Sequence, residues 1–131
     1  MPFVTSARQF IDNPGDLKDH RRIKEMKETV RFMLDNAVGV DNAISTQKIV
    51  DHLRDEGCSV VSKEDWQINI LGPLRRNGIF IGSKRAKGMF IIQNESDAIV
   101  VISQIKNRIQ EETDRLKILQ DMVLSVGWKI D

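Results

Sequence analysis

The stretch Ser62–Ile92, SKEDWQINILGPLRRNGIFIGSKRAKGMFII, decides the fold. From Trp66 to Asn94 there is no Asp or Glu, against five basic residues: Arg75, Arg76, Lys84, Arg85 and Lys87. The first half sets Trp66, Ile68, Leu71 and Leu74 at helical spacing. The second half alternates into two short β-type runs, 79–81 and 89–92. Between them Gly82-Ser83-Lys84-Arg85-Ala86-Lys87-Gly88 predicts a basic tip, with Gly82 and Gly88 letting the backbone turn tightly and approach a ligand. Ser62 is placed to cap the helix, and Asp65 stands where a capping box carries Glu. Gly72-Pro73 interrupts the pattern, because an internal proline removes a hydrogen bond and clashes with the preceding turn at roughly 3 kcal/mol. A kink, or a new turn at Pro73, is expected. Asn77-Gly78 supplies a left-handed stop before the first strand.

Toward the N-terminus, Ser45 or Thr46 starts a helix through about Glu56 with Ile49, Val50 and Leu53 inward, and Gly57 ends it. Ala43-Ile44-Ser45 is a candidate brief strand. A further helix is predicted over 16–37, with Ile23, Met26, Val30, Met33 and Ala37 on one face. Residues 1–16 form an arm with a short helix at 7–11 that covers the core edge or joins a dimer contact. Cys58 reads as a small packed hydrophobe rather than a nucleophile, and His20 and His52 stand isolated in the sequence.

Toward the C-terminus, Asn94-Glu95-Ser96-Asp97 supplies capping residues for a helix over 96–126. Ala98, Ile102, Ile105, Ile109, Glu112, Leu116, Leu119 and Val123 keep the four-three alternation of a heptad seam that only Glu112 breaks. Such a helix is about 46 Å long at 1.5 Å per residue, more than a small domain covers. Its distal half needs a partner: a second copy of the chain, or the first helix of its own chain. Parallel and antiparallel pairing both remain open. Residues 127–131 form a tail in which Trp128 caps the core or the interface.

The 131 residues carry a net charge of +1 and one cysteine, which excludes an internal disulfide framework and a multi-cysteine metal cluster. The charge is unevenly placed: net −2 over 1–65, +5 over 66–94 and −2 over 95–131. That is a focused basic patch. No apolar run approaches a membrane span, and a reducing, cytoplasmic setting is expected. There is no Walker loop, HExxH, GxSxG or cysteine–histidine pair, so no enzyme, cofactor or metal is expected. Glu64-Asp65 reads as capping chemistry rather than a nuclease carboxylate pair.

The order helix, short strand, helix, helix, hairpin, with LGPLRRNGIFIG joining the last helix to the hairpin, resembles the winged-helix superfamily over about residues 17–95. That pattern ends its recognition helix with a leucine, polar residues, then Gly and an apolar residue. Here these are Leu71, Leu74, Gly78 and Ile79. The chain is also similar in character to small winged-helix proteins of bacterial, phage and mobile-element origin. The resemblance implies an α+β, mostly α fold of three helices and a β-hairpin wing, to which the heptad spacing over 96–126 adds a coiled-coil-like dimerisation helix. The units are an arm (1–16), a winged-helix domain (17–95), a long helix (96–126) and a tail (127–131). The implied function is sequence-specific binding of double-stranded DNA by a nucleoid-associated homodimer acting in transcription regulation, replication or a mobile element. The expected DNA-binding residues are Lys63, Gln67, Asn69, Arg75, Arg76, Ser83, Lys84, Arg85 and Lys87. Ile102, Ile105, Ile109, Leu116, Leu119 and Val123 are the expected dimer residues. The competing reading is a winged-helix protein-interaction module whose long helix binds a different protein.

Overall fold

The computed structural model describes residues 1–60 and 62–129. It is mostly helical, with one two-stranded antiparallel sheet. Helix α1 spans Pro2–Asp12, longer than the expected short helix, and packs Val4, Ala7 and Phe10 against the core. Helix α2 spans Ile23–Asn36 rather than starting at Asp16. Gly15 at φ +59 opens a single 3₁₀ turn, Gly15–Leu17. The chain turns again at His20, whose Nδ1 accepts the Arg22 N–H at 3.1 Å.

Helix α3, Thr46–Asp55, starts on Ser45, whose hydroxyl accepts the Lys48 N–H at 3.2 Å. Ile49, Val50 and Leu53 are fully buried. His52 is not isolated in space. It stacks on Phe32 and its Nε2 lies 2.8 Å from Glu28 Oε1, tying α3 to α2.

Ser62 caps α4, Lys63–Trp66, by accepting the Asp65 N–H at 3.0 Å. The chain then widens into a π turn, Gln67–Leu71, and continues as α5, Gly72–Arg76. The Gly72 N–H donates to the Gln67 carbonyl, five residues back. The wider turn is the physical answer to Pro73: it relieves the ring's clash with the preceding carbonyl without ending the helix. Trp66, Ile70 and Leu74 form the inward row, while Ile68 is 68% exposed. Of the four apolar residues at helical spacing, Ile68 alone does not share the inward face. It lies two residues from Trp66, about 200° round a helix of 3.6 residues per turn. The start of α4 is held to the start of α2 by a bidentate pair, Arg22 to Asp65, with both N–O distances 3.1 Å.

Strand β1, Ile81–Lys84, pairs with β2, Gly88–Ile91, from Ile81↔Ile91 to Lys84↔Gly88. The strands thus reach further into the basic segment than expected, and only Arg85–Lys87 remain as loop. On its other edge β2 exchanges hydrogen bonds with Ile44, whose N–H donates to Met89 (2.9 Å) and whose carbonyl accepts from it (2.7 Å). Nearer its end, β2 bonds to Ala37 and Gly39. Ile44 is therefore a one-residue strand, as the sequence suggests.

The two hairpin glycines do not serve the expected purpose. Gly82 is buried inside β1, where a Cβ would lie 2.7 Å from Val101 Cγ2. Gly88, at φ +116, would place a Cβ 2.1 Å from the Ile44 carbonyl oxygen. Both admit packing rather than approach to a duplex. The left-handed turn position belongs to Ala86, at φ +67, beside the Lys87 N–H bond to the Lys84 carbonyl at 3.0 Å. A left-handed non-glycine residue is strained by roughly 1–2 kcal/mol, partly offset by the entropy glycine loses on folding. Ala86→Gly is therefore expected to raise stability by about 0.5 kcal/mol, read as a higher urea midpoint at unchanged slope.

Helix α6, Glu95–Ser125, is 31 residues long and starts on Asn94, whose side chain accepts the Asp97 N–H. Asp97 is buried and accepts the N–H groups of Gln93 (2.9 Å) and Val40 (3.4 Å). Val101 packs on Phe90 and Ile92 in a small second core. From Ile105 onward the helix is exposed apart from the half-buried Val123, and it does not fold back on α2 as one reading allowed. Trp128 is 67% exposed and caps no core in this chain. Ile130 and Asp131 of the expected tail lie outside the described residues. No helix among the described residues is long and apolar enough to cross a membrane.

Candidate nucleic-acid interface

The N-terminal ends of α3 and α4 and the hairpin tip enclose a groove of about 560 Å³. Ser45 and Gln47 border one side, Lys63, Glu64 and Gln67 another, and Lys84, Ala86 and Lys87 the third. Four expected contact residues, Lys63, Gln67, Lys84 and Lys87, are thus brought together from segments twenty residues apart in sequence. The placement follows from local causes. Ser62 fixes where α4 begins, Arg22 fixes its direction through Asp65, and the Ile44–Met89 bonds hold the hairpin beside α3.

Among the described residues no carboxylate lies within ion-pair distance of Lys63, Arg76, Lys84, Arg85 or Lys87. Their charge is free to act on an anion. Among the described residues, Glu64 is the one acidic side chain lining the groove. Ile68, one residue beyond Gln67, is an exposed apolar side chain on the same helix.

Two expected contact residues are committed elsewhere. Arg75 donates from Nε (2.8 Å) and a terminal nitrogen (2.6 Å) to the Ile81 carbonyl, with its guanidinium 5.0 Å from the Phe80 ring centroid. Burial lowers its pKa, and nearby Arg108 lowers it further. Arg75 therefore clamps the helix exit to β1. Asn69 donates to Asp65 at 2.8 Å and is half-buried. Arg76 is exposed at the far end of α5, away from the groove lining.

The outer edge of β1 carries a feature the sequence reading missed. Gln104, on the face of α6 that docks against the hairpin, donates its amide N–H to the Ser83 carbonyl, and its Oε1 accepts the Arg85 N–H at 2.8 Å. The side chain thus pairs with the strand edge as a neighbouring strand would. Ser83, an expected contact, is held here by its backbone. A polar residue at step three from Val101 was the available signal. Gln104→Ala is expected to leave the core intact and to speed hydrogen exchange at the Arg85 amide at least tenfold, since its acceptor is lost.

A metal was not expected. Glu28, His52 and Glu56 place three ligand-type atoms within 4.8 Å of one another, and within that group the Glu28–His52 bond and the Phe32 stack tie α2 to α3. Cys58 is buried, and burial followed by the nearby Glu25 carboxylate pushes its thiol pKa up. That environment disfavours the nucleophilic thiolate.

Comparison with protein-family models, with curated proteins and with solved structures gives no match. Any functional reading therefore rests on the groove and on α6.

Proposed function

We propose that this chain is a winged-helix protein that binds double-stranded DNA as a homodimer. The observation that carries the reading is the groove in which the exposed start of α4 faces a basic hairpin tip. The element order supports it: α2, the Ile44 bridge, α3, the α4–α5 helix, β1 and β2 follow the winged-helix sequence of elements. In this reading α4 enters the major groove, where Gln67 suits adenine and Ile68 suits a thymine methyl group. Lys84, Arg85 and Lys87 meet backbone phosphate or a narrow minor groove beside it. Glu64 stays near base edges, where a carboxylate accepts from cytosine and avoids phosphate. Arg75 and Asn69 support these residues without touching DNA.

The dimer is supported by α6. Ile102, Ile105, Ile109, Leu116 and Leu119 are between 39% and 61% exposed, and Val123 is half-buried. Asp97, Val101 and Gln104, which dock on the rest of the chain, lie one residue behind that row, about 100° round the helix. Ala98, the first residue of the row, packs on the second core, and from Ile102 onward the row stands apart from the docked face and is free to pair. Glu112, held by Arg115 at 2.9 Å, would face its own twin in a parallel in-register pair, which favours an antiparallel or staggered one. The same exposed row is what favours the second reading, a module whose α6 binds a different protein.

Titration of mixed-sequence duplexes at two salt concentrations, with light scattering on the pure protein, tests the proposal. It expects binding that weakens steeply with salt and a mass twice the 15.0 kDa of one chain. A monomer that ignores duplex DNA at low salt would favour the second reading.

A further inference from the structure

We propose that α6 extends the DNA contact past the hairpin, with Asn107 and Arg108 joining Lys84 and Arg85 on a backbone phosphate in the cleft between α6 and β1. The inference rests on the duplex-binding reading and adds to it a path for the DNA. Helix α6 runs along β1 from its base toward the tip: Asp97 bonds near Val40, Val101 meets Gly82, and Gln104 holds Ser83 and Arg85. Steps of four, three and four take this row from Asp97 through Val101 and Gln104 to Arg108. Arg108 is thus the next residue to face the tip, one turn beyond the last docking contact.

The cleft there has a volume of about 450 Å³ and is lined by Ser83, Lys84, Arg85, Asn107, Arg108 and Glu111, among others. Lys84 and Gly88 line both this cleft and the α3–α4 groove, so the two adjoin at the hairpin. Arg108 and Arg75 are close enough for each charge to be felt by the other, Arg75 being already desolvated beneath the hairpin. No carboxylate among the described residues is within ion-pair distance of either. Holding guanidinium groups together in this way is unfavourable in the free protein. A phosphate held beside Arg108 would offset that repulsion, and Lys84, Arg85 and Asn107 line the same cleft as further donors. Glu111, one turn on, repels a second phosphate and ends the contact there.

The test is duplex binding over a range of salt by the full chain and three variants. Arg108→Ala is expected to weaken binding roughly fivefold and to lower the slope of log affinity against log salt by about one. Arg108→Lys keeps the slope, because the charge remains, and Lys117→Ala, exposed further along α6 and off the apolar row, leaves affinity and slope unchanged. If the parent binds duplex and Arg108→Ala matches it in affinity and slope, the α6 contact is wrong while the duplex-binding reading stands. If the parent does not bind duplex at all, the reading fails and the inference with it. Inorganic phosphate added at constant ionic strength separates the two sources of the anion. Unchanged duplex affinity supports backbone phosphate as the ligand, and loss of the Arg108 contribution would overturn it in favour of a free-phosphate site.

Discussion

Replacing Lys84, Arg85 and Lys87 together by alanine is expected to weaken duplex DNA binding a hundredfold or more, roughly, and to lower the salt slope by about three. The size follows from what each side chain does in the free protein. Arg85 and Lys87 are exposed on the three-residue loop, and Lys84 projects from the last paired position of β1. None has an ion-pair partner among the described residues, so none is spent on folding. Each phosphate contact contributes through counterion release, near 0.9 of a unit of slope per contact on B-form DNA. The hairpin itself should survive, because its bonds are to backbone atoms: β1 to β2, β2 to Ile44, and Gln104 to Ser83 and Arg85. An unchanged melting temperature alongside the lost affinity is the expected pair of results. A variant that still binds as the parent does would remove the tip from the interface.

The largest effect on stability is expected from Trp66→Ala, at about 3–5 kcal/mol. Trp66 is fully buried at the junction of α4 and the π turn. Its Nε1–H donates to Thr29 Oγ1 at 3.2 Å, itself fully buried on α2. Truncation leaves a cavity under α4 and strips the threonine hydroxyl of its donor. Set against total stabilities of about 5–15 kcal/mol, the loss would leave α4 poorly held or the chain unfolded. Trp66→Phe keeps most of the ring volume and loses the hydrogen bond. It should cost about 1–3 kcal/mol, the penalty for unpairing a buried polar group. Urea denaturation of the three proteins reads both numbers, and near-equal losses for Ala and Phe would show that packing at this position matters little.

How much of this was legible in the sequence depends on the range over which each cause acts. Ser45, Ser62 and Asn94 cap helices by reaching three residues forward, so their places were readable. The boundaries of α3 and α6 followed within a residue or so. The hairpin's existence was readable from alternation and glycine. Its extent was not, because Gly82 and Gly88 look like turn glycines until Val101 and Ile44 are seen pressed against them. Pro73 announced an interruption, but a kink, a fresh turn and a π turn all satisfy a proline, and core packing of Ile70 and Leu74 chose among them. Arg75 looks like a surface cation by type. It is a clamp because the Ile81 carbonyl needed a donor there, a demand set by tertiary packing. The Gln104 contact and the Arg108 cleft depend on how α6 lies against β1, which no local pattern encodes.

In the proposed complex the start of α4 and the hairpin tip meet the duplex together. Amide shifts of isotopically labelled protein, followed while a duplex is added at low salt, measure this directly. The largest changes are expected at Lys63–Ile68 and at Lys84–Lys87, with the face formed by α1 undisturbed. Shifts confined to α1, or amides of both segments left unchanged by saturating duplex, would contradict it.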